Sequence, residues 1–140
     1  MYNLTNSIDQ VVEENALPHE WSKEVLAELK DLGVKNNKRD DLRKIPFVTI
    51  DGKDAKDFDD AVFCEANKDG FVLQVAIADV AEIVEPSSSI DKEALSRGTS
   101  IYFPKRVIPM LPEEISNNLC SLIPNEDRNV LVCKMNFTQE

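Results

Sequence analysis

The apolar positions at the start of the chain recur with a helical period. Ile8, Val11 and Val12 share one face behind Asn6 or Ser7, either of which suits an N-cap, and Pro18 interrupts the pattern. Trp21, Val25, Leu29 and Leu32 then repeat at intervals of four, four and three, with Gly33 as a stop, which predicts a second, amphipathic helix. The stretch VKNNKRDDLRK is charged and has no apolar period, so it reads as a surface linker. This divides the chain into a helical lead-in with its linker, residues 1–40, and a main domain, residues 41–140.

After the linker the pattern turns to strands. IPFVTI is a β-branched and aromatic run opening at a proline, which suits a sheet edge. AVFCEA and FVLQVAIADVAEIV follow as two more strands, joined by NKDG, whose Asn67, Asp69 and Gly70 carry the turn chemistry of a hairpin. Ser89 to Leu95 predicts a short helix with Ser88 or Ser89 as cap and Asp91 and Glu93 in its first turn. Pro112, Glu113 and Glu114 open another that runs through ISNNL, and VLVCKMNF reads as a last strand. The expected fold is α/β, a mixed β-sheet with flanking helices, without internal repeats.

Composition adds a setting. An apolar content of 42% over 140 residues suits one ordinary domain with a core. No apolar run is long enough to cross a bilayer, and the start MYNLTNSIDQ lacks the basic and apolar regions of a secretion signal, so a cytoplasmic protein away from membranes is expected. Cys64, Cys120 and Cys133 are widely spaced among apolar neighbours and read as reduced core residues. The net charge of -10 argues against unassisted, non-specific binding to nucleic acid. Within that acidic chain, Ala94 to Pro112 contains no acid but holds Arg97, Lys105, Arg106, Tyr102 and Phe103. Composition alone favours a buried loop-and-strand segment there over a binding surface.

The chemistry-bearing stretch is TIDGKDAKDFDDAV, which crowds Asp51, Asp54, Asp57, Asp59 and Asp60 between two strand candidates. Two carboxylates about 4 Å apart repel by roughly 4 kcal/mol at an effective dielectric near 20, so either solvent separates them or a cation binds them. In an extended chain Asp57 and Asp59 point to one side, and the loop can return Asp51 toward them. Oxygen ligands alone favour magnesium, manganese or calcium over zinc, and His19 lies far off in sequence. An EF-hand loop fails in every register: starting at Asp51 puts Lys53 at its third position, starting at Asp54 puts Lys56 there, and starting at Asp57 puts Ala61 at its fifth. Spacing leaves a solvated acidic turn and a magnesium site both open.

Several ordered motifs go further. LPHEW, DLRKIPFVTIDGKDAKDFDDAVFCE, VAIADV, RGTSIYFP and VIPMLPEEISNNLCSLIPNEDR together resemble the RNB catalytic domain of the ribonuclease II and ribonuclease R family of 3'-to-5' exoribonucleases, most closely its ribonuclease R branch. The resemblance covers the chain from about Leu17 onward and implies part of the RNB-domain fold. It implies that Asp51, Asp57, Asp59 and Asp60 match the family's active-site aspartates, which hold Mg2+ (or Mn2+) for hydrolysis of single-stranded RNA from its 3' end to 5'-mononucleotides; Asp54 matches a non-catalytic position. Tyr102 matches a tyrosine that packs against nucleotides, a sequence-tolerant contact. Arg97 and Lys105 are candidate phosphate contacts from their place in the acid-free strip, with no family role carried over. Asp79 in AIADV reads as a strand-end hydrogen-bonding residue, and His19 and Trp21 as packing residues.

The resemblance also marks departures. The family's cold-shock and S1 domains, the downstream arginine that assists cleavage, and the later aromatic of the base clamp are not in this sequence. The expectation is therefore an exoribonuclease fragment with weak or no activity alone and self-association through exposed sheet edges. The alternatives are a non-catalytic truncated remnant, a partner-binding module, or a metal-stabilised structural domain.

Overall fold

The computed structural model describes the backbone of residues 4–33 and 38–138, and side chains from residue 7 onward. In chain order the elements are α1 (Leu4–Glu14), α2 (Lys23–Glu28), a 3-10 turn (Leu29–Asp31), β1 (Asp60–Ala66), β2 (Gly70–Ala78), α3 (Val80–Ile83), α4 (Ser89–Arg97), β3 (Ile101–Phe103), β4 (Arg106–Ile108), a π-turn (Ile115–Leu119) and β5 (Val130–Thr138). They form two compact units, one from residues 1–32 and 85–112, the other from residues 33–84 and 113–140.

In the first unit, Ile8 and Val12 of α1 are buried with Ile108, and Leu17, Ile101 and Phe103 pack against them. The helix begins upstream of the apolar stripe that reveals it, so Asn6 and Ser7 lie inside α1 instead of capping it. β3 and β4 form an antiparallel hairpin in which Ile101 pairs with Ile108 and Tyr102 with Val107. Alternation along β3 turns Ile101 and Phe103 toward α1 and Tyr102 away from it, leaving the tyrosine 67% exposed. Asp9 and Arg106, 2.6 Å apart, tie α1 to β4.

The expected Trp21–Leu32 helix is shorter, as α2 tightens into the 3-10 turn before Leu32. Ser22 caps α2 by accepting from the Val25 amide. Val25 of α2 and Ile90 of α4 are fully buried. Ser88 caps α4 through the Asp91 amide, and Glu28 Oε2 accepts from the amides of Ser89 and Ile90, so α2 supplies a second cap from outside the helix. Gly98, at φ 71°, closes α4 by donating to the Ala94 carbonyl.

The second unit is built on the sheet β1-β2-β5, with β2 in the centre. Every strand pairing among the described residues is antiparallel. Val72, Gln74, Ala76 and Ala78 of β2 are buried on one face with Ala61 of β1. On the other face Phe71 pairs with Phe137 and Ile77 with Leu131, all of them half-exposed or more. Cys64 and Cys133 are exposed, and only Cys120 is a core residue. The sequence reading placed all three inside because their apolar neighbours suggest burial, whereas strand alternation turns half of such a run outward.

Two strand expectations are shortened. IPFVTI makes a single bridge, Val48 with Val62, because Pro46 has no amide hydrogen and the chain leaves the sheet after Val48 for the aspartate loop. β2 ends at Ala78, and the residues expected to extend it form α3. Arg39 explains the break: it bridges Asp79 and Glu82, each at 2.6 Å, and a helical turn brings residues three apart to one side. Residues 34–37 of the expected linker lie outside the described residues.

The β1–β2 hairpin turns as NKDG predicts, with the Asn67 amide donating to the Gly70 carbonyl and Asn67 Oδ1 accepting from the Asp69 amide. Gly70 sits at φ 154°, and a Cβ there would overlap the carbonyl oxygen of Phe137 on β5. Gly70→Ala therefore strains the backbone and pushes two strands apart. We expect a loss of about 2 kcal/mol, read as a lower urea midpoint with an unchanged slope.

Candidate active site

The aspartate loop is closed at its base by two hydrogen bonds between Val48 and Val62, from each amide to the other's carbonyl, at 3.0 and 2.8 Å. This bridge returns Asp51 toward the strand that Asp60 opens. Within the loop the Ala55 amide donates to the Gly52 carbonyl. Its far limb is fixed by three contacts outside the loop. The Ala78 amide donates to the Asp59 carbonyl, the Leu122 amide to the Phe58 carbonyl, and the Ser121 hydroxyl lies between the Lys56 carbonyl and the Phe58 amide.

The loop's side chains share an electrostatic field. Burial pushes the Asp59 carboxyl above its usual range, and the charges of Asp57, Asp60 and Asp51 add to the effect in that order. Asp54 is not among those causes, although it lies in the same loop. Among the described residues no three His, Cys, Asp or Glu side chains converge closely enough to hold a metal ion. The aspartates are thus neighbours in field without forming a ligand shell. Their donor chemistry is hard oxygen, which fits Mg2+ or Mn2+. Cys120, the nearby thiol, is pushed up to about 11, first by burial and then by Asp59, so it stays protonated and offers no thiolate at neutral pH.

In the first unit the three candidate RNA contacts differ sharply. Tyr102 is presented outward on β3. Lys105 is exposed at the β3–β4 turn, following Pro104, at φ 66°. A positive φ of this size is where glycine is favoured, so an L side chain there is strained. Arg97 cannot serve as a phosphate contact. Its Nε donates to Glu93, one terminal nitrogen to the carbonyls of Pro18 and Pro109, and the other to Glu93 and the Glu20 carbonyl. Those bonds use all five guanidinium hydrogens. The group also stacks over Trp21 at 3.6 Å, and its side chain is 3% exposed. Arg97 is a brace that holds the LPHEW segment to α4. Trp21 has the packing role expected of it, and His19 is exposed, with Nδ1 against the Leu17 carbonyl.

The sequence reading missed Ser121, Arg128 and Arg39. Ser121 has no exposed surface, and the Arg128 Nε donates to the carbonyls of Ser121 and Asn118 at 3.0 and 3.2 Å. Serine is more often exposed than buried, so Ser121 gives no signal of its role, and the partners of both arginines become visible only in three dimensions. Asp79, read as a strand-end hydrogen-bonding residue, pairs with Arg39, and its amide donates to the Asn129 carbonyl.

The RNB domain profile matches residues 39–140, and the chain belongs to the RNB domain family. Ribonuclease R proteins are among the relatives it resembles. It is 54% identical over 134 residues to ribonuclease R of Acidithiobacillus ferrooxidans, a match spanning 91% of this chain and 30% of that protein. To ribonuclease R of Escherichia coli (strain K12) it is 49% identical over 140 residues, 96% of this chain and 17% of that protein. Among solved structures, Mycoplasma genitalium RNase R in complex with double-stranded RNA matches with a TM-score of 0.89 at 40% identity, over 94% of this chain and 24% of that one. The same enzyme with ribose-methylated single-stranded RNA matches with a TM-score of 0.88. The chain spans less than a third of the length of these relatives.

Asp59 binds a proton more readily folded than unfolded. Its contribution to stability is therefore unfavourable at neutral pH and is relieved as pH falls through its raised folded pKa toward the ordinary carboxylate range. Without divalent metal, Asp59→Asn should melt higher than the parent at pH 7, and the gap should narrow toward pH 4. Thermal melts of both proteins across that range check it; a gap that widens on acidification contradicts it.

Proposed function

We propose that this chain is the N-terminal part of the catalytic domain of a Mg2+-dependent 3'-to-5' exoribonuclease acting on single-stranded RNA, with residues 1–40 as its lead-in. Membership of the RNB family and about half identity to ribonuclease R support the exoribonuclease class. The observation that carries the assignment of residues is the field at Asp59. Asp57, Asp60 and Asp51 all act on it, which supports taking these four together as the proposed ligands.

In this reading Asp51, Asp57, Asp59 and Asp60 hold Mg2+, or Mn2+ in its place. A divalent cation held by these carboxylates would supply charge to offset the scissile phosphate and would lower the pKa of an attacking water. The chain's own part is to hold the carboxylates near one another on a loop pinned at both limbs. Tyr102, outward on a hairpin anchored by Ile101, Phe103 and Ile108, offers a ring face to a nucleotide. Lys105 places a cation at the exposed tip of the same hairpin, and a lysine kept in a glycine-favouring conformation suits a binding role. Because the chain spans less than a third of its relatives, its activity in isolation is expected to be slow or absent.

Calorimetry with Mn2+ tests the site. Replacing both Asp57 and Asp59 by Asn should lower the affinity by an order of magnitude or more, and an unchanged affinity would place the site elsewhere or remove it. The hairpin is tested separately by fluorescence anisotropy with a short single-stranded RNA. Tyr102→Ala should lose about 1 to 3 kcal/mol of binding, the contribution of one stacked base. Lys105→Gly should bind RNA more weakly while gaining about 1 kcal/mol of stability from relief of its left-handed conformation. Equal RNA affinity in both variants would reduce the hairpin to a structural element.

A further inference from the structure

The Ser121 hydroxyl is the side chain that reaches into the aspartate loop from the segment after the π-turn. It donates to the Lys56 carbonyl at 2.7 Å and accepts from the Phe58 amide at 3.1 Å. The first of these groups belongs to the peptide before Asp57 and the second to the peptide after it. A peptide group is planar, so fixing the planes on both sides fixes φ and ψ of Asp57 and with them the direction of its Cα–Cβ bond. The Leu122 amide, donating to the Phe58 carbonyl at 2.9 Å, adds a third restraint on the same limb.

Ser121 is itself held from behind. It has no exposed surface, and the Arg128 Nε donates to its carbonyl at 3.0 Å from a side chain only 13% exposed. A buried hydroxyl with both a donor and an acceptor role filled has no freedom to turn elsewhere. Neither Ser121 nor Arg128 supplies an oxygen suited to replace a carboxylate ligand, so their influence on a bound cation passes through the loop backbone.

We propose that Ser121 is a positioning residue for the metal site: its hydroxyl orients Asp57 toward a divalent cation by clamping the two peptide groups that flank it. The proposal rests on the reading of Asp57 as a metal ligand. Groups that orient ligands without touching the metal change affinity by about 10- to 100-fold when removed.

A double-mutant cycle on this chain, titrated with Mn2+ by calorimetry, tests it: parent, Ser121→Ala, Asp57→Asn, and the two together, each checked by far-UV circular dichroism. Ser121→Ala should retain its sheet and lose about tenfold or more in affinity. The double variant should bind no more weakly than Asp57→Asn alone, since a clamp acting through Asp57 has nothing left to orient. Losses that add independently, or an unchanged affinity in folded Ser121→Ala while Asp57→Asn weakens binding, would overturn the proposal. If Asp57→Asn itself leaves affinity unchanged, the metal-ligand reading fails and the role of Ser121 falls with it. Should Ser121→Ala fold too poorly to titrate, Ser121→Cys, which keeps a similar volume and weakens both hydrogen bonds, is read in the same cycle by the same criteria.

Discussion

Repulsion among Asp51, Asp57, Asp59 and Asp60 is the constraint under which the aspartate loop has to fold. Asp59 registers it directly, through burial first and then the other three charges. The bonds that hold the loop are largely neutral: the Val48–Val62 pair, Ala78 to Asp59, Leu122 to Phe58, and Ser121 on both sides of Asp57. Each contributes about 1 kcal/mol net. A loop restrained by its backbone can keep like charges near one another, and like charges held together favour a cation.

The first unit uses charge in the opposite way. Arg97 is buried with every donor filled and Trp21 stacked on it, so its charge is spent on architecture. Lys105, eight positions on, is exposed and conformationally strained. Two basic residues of one acid-free strip thus fall on either side of the line between holding the fold and facing solvent. Sequence composition assigns them the same character.

Local chemistry made much of this legible in advance. Ser88 caps α4, NKDG turns the hairpin, and the last apolar run is β5, because each of these depends on neighbours within a few residues. What sequence missed depends on distant partners. Val80 to Ile83 leave the strand for a helical turn where Arg39 draws Asp79 and Glu82 together, from forty and more positions away. IPFVTI is reduced to one bridge by the loop that follows it, and Arg97 is removed from the candidate site by carbonyls nearly eighty positions upstream. The aspartates could be named from their motif, but the serine that clamps Asp57 lies sixty-five positions from the carbonyl it holds.

The π-turn before Ser121 has a consequence for how this segment can change length. Its Cys120 amide donates to the carbonyl of Ile115, five residues back, so one more residue is wound between two fixed points than an α-helix would use. Ile115 is fully buried at one end and Ser121 at the other. Removing one residue between them would leave an ordinary α-turn spanning the same two points, so the extra residue is slack that a shorter segment would take up without turning Ser121.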